Sequence, residues 1–175
     1  MSRTITIDIF DQTSIDKAIR ELRDYKKLVI EKAEELRKRV ALLIRQNAEY
    51  VYSFSVADDL INEPAIIDGV QVSVEENGNV TLVIASGQDA IFMEFGAGIY
   101  HNGPAGSSPH PLGSGLGFTI GSYGLGNGRK NVWGFRGTDG EFHLTHGTPA
   151  SMPLYRATMA VVNDIERIAR EVFNL

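Results

Sequence analysis

The four histidines, His101, His110, His143 and His146, all fall between Gly96 and Gly147. Three of them with a carboxylate such as Asp139 or Glu141 would be the ligand set of a zinc hydrolase. Their spacing argues against it. On a strand, His143 and His146 point to opposite faces, and His101 and His110 flank a Gly/Pro segment with no fixed geometry. Solvated loop histidines are the expected reading. The clusters GSGLGF at 113–118 and GLGNGRK at 124–130 resemble phosphate loops in composition but not in context. A P-loop lysine is followed by Ser or Thr and opens a helix, whereas Lys130 leads to Asn131 and then Val132-Trp133. No dinucleotide fingerprint and no GxSxG nucleophile elbow occurs. Asp58-Asp59 and Glu75-Glu76 are adjacent pairs, and neighbouring side chains on a strand or helix diverge, so neither pair can share a substrate as acid/base carboxylates must. With no cysteine, thiol catalysis and Cys-ligated metals are excluded. The expectation is therefore a protein that is not an enzyme and uses neither metal nor cofactor.

The composition places these residues in one ordinary domain: 175 residues, 43% hydrophobic, 22% charged, with 17 Lys+Arg against 22 Asp+Glu and a formal charge of -5. Such a balance argues against a duplex-binding surface, which needs clustered cations. No apolar leader opens the chain and no segment reaches the roughly 20 apolar residues of a membrane span, so a protein that is cytosolic or released by lysis, with no membrane contact, is expected. The acidic imbalance is local. Between residues 61 and 95 stand Glu63, Asp68, Glu75, Glu76, Asp89 and Glu94 with no Lys or Arg among them.

The elements follow from periodicity. Ile5, Ile7 and Ile9 alternate with polar residues and predict a strand over 1–10. Asp11 or Thr13 is placed to cap a long helix over 14–53, with apolar residues stepping by three and four from Ile15 through Leu22, Tyr25 and Val29 to Leu43. The region 66–95 reads as a β-hairpin turning at Asn77-Gly78, with Val70, Val72 and Val74 on one arm and Val80, Leu82 and Ile84 on the other. The run Ala90 to Phe95 that follows is ambiguous between strand and helix. A Gly-rich loop is expected over 96–131, and a second hairpin over 132–145 turning at Thr138-Asp139-Gly140, with Trp133 and Phe135 facing Phe142 and Leu144. Ser151 can cap a closing helix over 151–173 that carries Pro153 in its first turn. Residues 1–175 then form a single α+β domain, with an N-terminal and a C-terminal helix on a small antiparallel sheet.

The order of these parts resembles a known family. A long amphipathic helix, a hairpin, the run Ile91-Phe92-Met93-Glu94-Phe95-Gly96-Ala97-Gly98, a Gly-rich insertion carrying Trp133, and Thr145-His146-Gly147-Thr148-Pro149-Ala150 leading to Pro153-Leu154-Tyr155-Arg156-Ala157 are similar to the tail-completion, or head-tail connector, proteins of long-tailed bacteriophages. Ala97 stands where that family usually has Thr, and Leu154 where it usually has Phe. The resemblance implies a structural virion protein that forms a ring, usually sixfold, at the neck between the portal-side connector and the tail tube, with DNA passing through without sequence-specific binding. It implies assembly in the host cytoplasm and residence in the virion. Glu94, Phe95, Gly96, Pro153 and Arg156 are then candidates for assembly contacts, as are the aromatic residues Trp133, Phe135 and Phe142 of the second hairpin. Glu75 and Glu76 are candidates for an acidic lumen that keeps phosphates at a distance. Another ring of the same particle, a head-closure or tail-tube protein, is the nearest alternative. A His-dependent metal hydrolase and a glycan-binding module using Trp133, Phe135 and Tyr123 are the others.

Overall fold

The structure is a computed structural model that describes residues 4–54, 70–87, 89–97, 108–118, 133–136, 140–145 and 147–174. Its elements are α1 (Gln12–Phe54), β1 (Gln71–Asn77), β2 (Val80–Ser86), α2 (Ala90–Phe95), β3 (Trp133–Arg136), β4 (Phe142–Thr145), α3 (Pro153–Asn163) and α4 (Ile165–Phe173). The fold is α+β: a long N-terminal helix and C-terminal helices with two-stranded antiparallel sheets.

Residues 4–11 form no strand. Ile7 and Ile9 are exposed and no described strand pairs with them, so the alternation there has no sheet to serve. The segment instead turns into α1: Asp8 N–H donates to Ser14 Oγ, and Asp11 Oδ1 accepts from Thr13 N–H, which makes Asp11 the helix cap. From there α1 runs without a break for 43 residues, about 65 Å at 1.5 Å per residue. Its N-terminal half buries Ala18, and the rest of its packing lies in the C-terminal half. Ala41, Ala48 and Tyr52 are buried, with Ile44 packed against their cluster. Ala48 and Tyr52 share one core with Ala157 of α3, Val72 and Met93.

The first hairpin is in the register Asn77↔Val80, so its two turn residues are Gly78 and Asn79 rather than Asn77-Gly78. Gly78 has φ +57, a conformation that costs glycine nothing. This register pairs Val72 with Ala85 and Val74 with Val83, and it is Val83 and Ala85 that pack against the core. Val80 and Leu82 face outward and are exposed. On α1's side of the same hairpin, Glu76 pairs with Lys38 at 3.2 Å.

The second hairpin forms as expected in position but not in pairing. Trp133 lies opposite Thr145 and Phe135 opposite His143, while Phe142 and Leu144 lie opposite Arg136 and Gly134. The register therefore does not pair Trp133 or Phe135 with Phe142 or Leu144, which is the pairing expected from the sequence. The side chains of Trp133 and Phe135, and the turn residues Thr138 and Asp139, lie outside the described residues.

The closing helix is two helices. Asp164, with φ -100 and ψ 0, interrupts it, and its N–H turns back to the carbonyls of Val161 and Val162. Asn163 and Asp164 are poor helix formers because their side chains compete for nearby backbone groups. Asp164 also pairs with Arg167 at 2.6 Å. Ala157, Val161, Ile168 and Val172 are buried, whereas Thr158 and Ile165 are exposed.

Candidate functional site

Ala90 to Phe95 resolves as a helix whose buried residues are Ala90, Met93 and Glu94. A glutamate on the apolar face of a short helix must find donors, because an unpaired buried carboxylate costs several kcal/mol. Glu94 finds three. Its Oε2 accepts from Leu154 N–H at 2.9 Å, and its Oε1 accepts from Tyr155 N–H at 2.9 Å and from His110 Nε2 at 3.1 Å.

The first two bonds solve a problem set by α3's own sequence. The helix begins after Met152, which stands in the left-handed region at φ 54 and has no side chain able to cap. Ser151 does not cap: its N–H and Oγ both bond to Met93 O, as does Met152 N–H. Pro153 at the first helical position has no N–H to satisfy, and Leu154 and Tyr155 supply the next two. Glu94 takes both, in place of the Ser or Asp that normally does so from within the helix. The positive end of the helix dipole stabilises its charge in turn. Arg156 N–H then closes the first turn on Met152 O, and every donor of that turn is accounted for.

The third bond brings in a loop. Residues 108–118 fold into consecutive turns closed at their base by Ser108 N–H to Phe118 O at 2.9 Å. Inside the loop, Leu112 N–H donates to His110 Nδ1 at 3.0 Å, which leaves the ring N–H on Nε2, facing Glu94. Ser108 and His110 are buried. Phe95 stacks on Phe118 with ring centroids 3.8 Å apart, and the His110 ring meets Phe95 at 4.6 Å and the edge of Tyr155 at 5.0 Å. Gly113 is packed so tightly that a Cβ there would lie 2.6 Å from Ser108 Cβ.

Gly96 ends α2 at φ +77, and a Cβ on it would meet Ala150 at 3.2 Å. This close approach lets Ala97 and Thr148 exchange backbone bonds, at 2.8 and 3.2 Å. The two sequence runs Ile91–Gly98 and Thr145–Ala157 are thus joined over their described residues from Met93 to Ala97 and from Thr148 to Tyr155. Behind them, Tyr52 of α1 is buried, and its hydroxyl has no hydrogen-bond partner among the described residues. Burial, reinforced by the Glu94 charge, pushes that hydroxyl far above its ordinary pKa.

Ser108, His110 and Glu94 are a serine-hydrolase trio in composition but not in arrangement. The Ser108 hydroxyl donates to Phe95 O and accepts from His110 N–H, and the ring nitrogen that would activate a nucleophile is occupied by Leu112 N–H. The arrangement holds three chain segments together; it does not polarise a hydroxyl. Among the described residues no group of three or more His, Cys, Asp or Glu could hold a metal ion. His101 and His146 lie outside the described residues.

Of the other residues singled out from the sequence, Gly96 and Pro153 are buried with Glu94. Arg156 and Phe142 are exposed. Glu75 and Glu76 are exposed on opposite faces of β1, and only Glu76 is on the side that meets Lys38. His110, expected to be solvated, is buried instead. The signal that could have found it is Glu94 itself, a carboxylate inside an apolar run at helical spacing, which demands a donor from elsewhere in the chain. No family model, no curated protein and no solved structure matches this chain.

Proposed function

We propose that this chain is a structural virion protein of a tailed bacteriophage, one subunit of a ring at the head-tail junction through which DNA passes. The observation that carries the reading is that the two runs behind the resemblance, around Glu94 and around Pro153, are a single buried latch: one supplies the carboxylate and the other the helix start that needs it. Sequence similarity confined to short runs gains weight when the runs are mutually dependent. The latch is also a structural device rather than a chemical one, as a subunit that must keep its shape under load requires. Exposed apolar residues on α1 and on β2, including Leu22, Ile30, Val80 and Leu82, leave surface to be covered on assembly. No helix among the described residues is long and apolar enough to cross a membrane.

Native mass spectrometry of the purified protein over a range of concentrations, with electron microscopy of the largest species, tests the reading. Metal-free closed rings, sixfold on this reading, are the expected result. A monomer carrying stoichiometric zinc would overturn it in favour of a hydrolase. In the phage that encodes the chain, an early stop codon in its gene should yield filled heads and tails that do not join, and normal particles would also overturn the reading.

A further inference from the structure

Three side-chain polar atoms among the described residues are buried without a hydrogen-bond partner: Tyr52 Oη, Arg37 Nε and Thr81 Oγ1. The first belongs to the core. The residues that carry the other two line one cleft, together with further residues of α1 and β2 and with Phe173 at the end of α4. The cleft measures about 290 Å3, and apart from Arg37 and Thr81 every residue that lines it is apolar, Leu36, Val40, Ile44, Val83 and Phe173 among them. Two unpaired donors in an otherwise apolar wall are a cost to the folded chain.

Arg37 differs from its neighbours in sequence. Lys38 pairs with Glu76 and Arg39 with Glu171, whereas the Arg37 guanidinium makes no ion pair among the described residues. Thr81 is held beside it by the register of the hairpin. It lies opposite Glu76 on the face turned to α1, where Glu76 meets Lys38.

What these donors lack is an acceptor, and charge decides which kind. A guanidinium takes a planar anion with two oxygens on its fork, and the Thr81 hydroxyl can donate to either oxygen. An inorganic anion would answer the donors and leave the apolar wall in water. A carboxylate on an aliphatic chain answers both. We propose that this cleft binds a medium-chain fatty acid, its carboxylate on Arg37 and Thr81 and its chain along Leu36, Val40, Ile44, Val83 and Phe173. Because Nε is shielded, the carboxylate engages the outer guanidinium nitrogens first and draws the fork round, a motion that the rotatable stem of arginine allows. The volume is at the lower end for small-molecule sites, which favours a medium chain over a long one. This inference stands apart from the ring reading, and neither requires the other.

Isothermal titration calorimetry of the full chain with octanoate, and with octanol, which shares its chain and carries no charge, tests the proposal. Octanoate should bind about tenfold more tightly than octanol. In a parallel NMR titration the signals of the Arg37 Nε–H and of the Thr81 and Val83 methyl groups should shift. Arg37→Met keeps an apolar stem without the charge; it should bind octanoate about tenfold more weakly and octanol as the wild type does, which also reports that the cleft is intact. Thr81→Val removes only the hydroxyl and should weaken octanoate about threefold. Equal affinity of the wild type for acid and alcohol overturns the proposal without recourse to any variant. So does octanoate binding that Arg37→Met leaves unchanged, or a titration that shifts no signal from the cleft.

Discussion

Tyr52 shows how much a single buried atom can matter in a domain of this size. Its ring fills the core between Ala48, Val72, Met93 and Ala157, while its hydroxyl is buried without a partner among the described residues. An unsatisfied hydroxyl costs about 1–3 kcal/mol of desolvation that its ring does not need. Tyr52→Phe keeps the packing and should raise stability by about 1 kcal/mol in urea unfolding. The pH dependence has a definite sign. Burial raises this hydroxyl above its ordinary value of 10.0, so the unfolded chain loses the proton first and stability falls as pH climbs past that value. The Tyr52→Phe variant lacks this loss, and its stability should decline less steeply than wild type above pH about 10. Equal alkaline slopes would show that the hydroxyl loses its proton as readily in the folded protein as in the unfolded chain, and so is open to water. Nothing in the sequence marked Tyr52 for this role. The helical period placed it near the end of α1, but the face that closes against α3 carries Ala48, a small residue that a count of large apolar side chains passes over.

At the scale of elements, the helices were legible in the sequence and their termini only in part. Asp11 caps α1 because the cap lies within the helix's own sequence. The start of α3 could not be read in that way, since its capping group is Glu94, about sixty residues earlier, and Ser151 is drawn off to Met93 O. Removing this carboxylate therefore uncouples three elements at once. Glu94→Ala leaves two helix N–H groups and the His110 Nε2 without their acceptor and should lower stability by about 2–4 kcal/mol. Glu94→Gln keeps an acceptor oxygen and should lose about half as much. Hydrogen exchange separates this from a general loosening: protection should fall first at Leu154 and Tyr155 and across the 108–118 loop, while the middle of α1 stays protected. Uniform loss of protection would mean that Glu94 acts on the whole core and not as a local cap. The pairing of the second hairpin departs from the one its composition suggests, because parity and not composition decides it. A turn centred on the middle residue of Thr138-Asp139-Gly140, as the sequence leads one to expect, makes paired residue numbers sum to an even total. That parity sets Trp133 opposite Thr145 and forbids a pairing with Phe142 or Leu144.

For the whole molecule, the acidic stretch from residue 61 to 95 divides once the fold is known. Glu94 is buried as a cap, and Glu76 is tied to Lys38 of α1 at 3.2 Å. Glu75 stands on the opposite face of β1, beside exposed Leu82. On the ring reading, only a carboxylate on the free face of the hairpin can contribute to a wall that repels phosphates, so the two neighbours should behave differently when reversed. Glu76→Lys places a cation against Lys38 and should weaken the packing of the hairpin on α1, with a loss of about 1 kcal/mol or less because the pair is half exposed. Glu75→Lys should leave stability within about 0.5 kcal/mol of wild type. Its effect belongs to DNA: a ring of lysines in place of glutamates attracts the backbone and should slow ejection, and added salt should relieve the delay as the attraction is screened. Particles assembled with Glu75→Lys subunits would report this through the rate of DNA release at low and high ionic strength. Release at the wild-type rate under both conditions would place Glu75 away from the channel, and the acidic stretch would then be a solvated sheet face with no part in conduction.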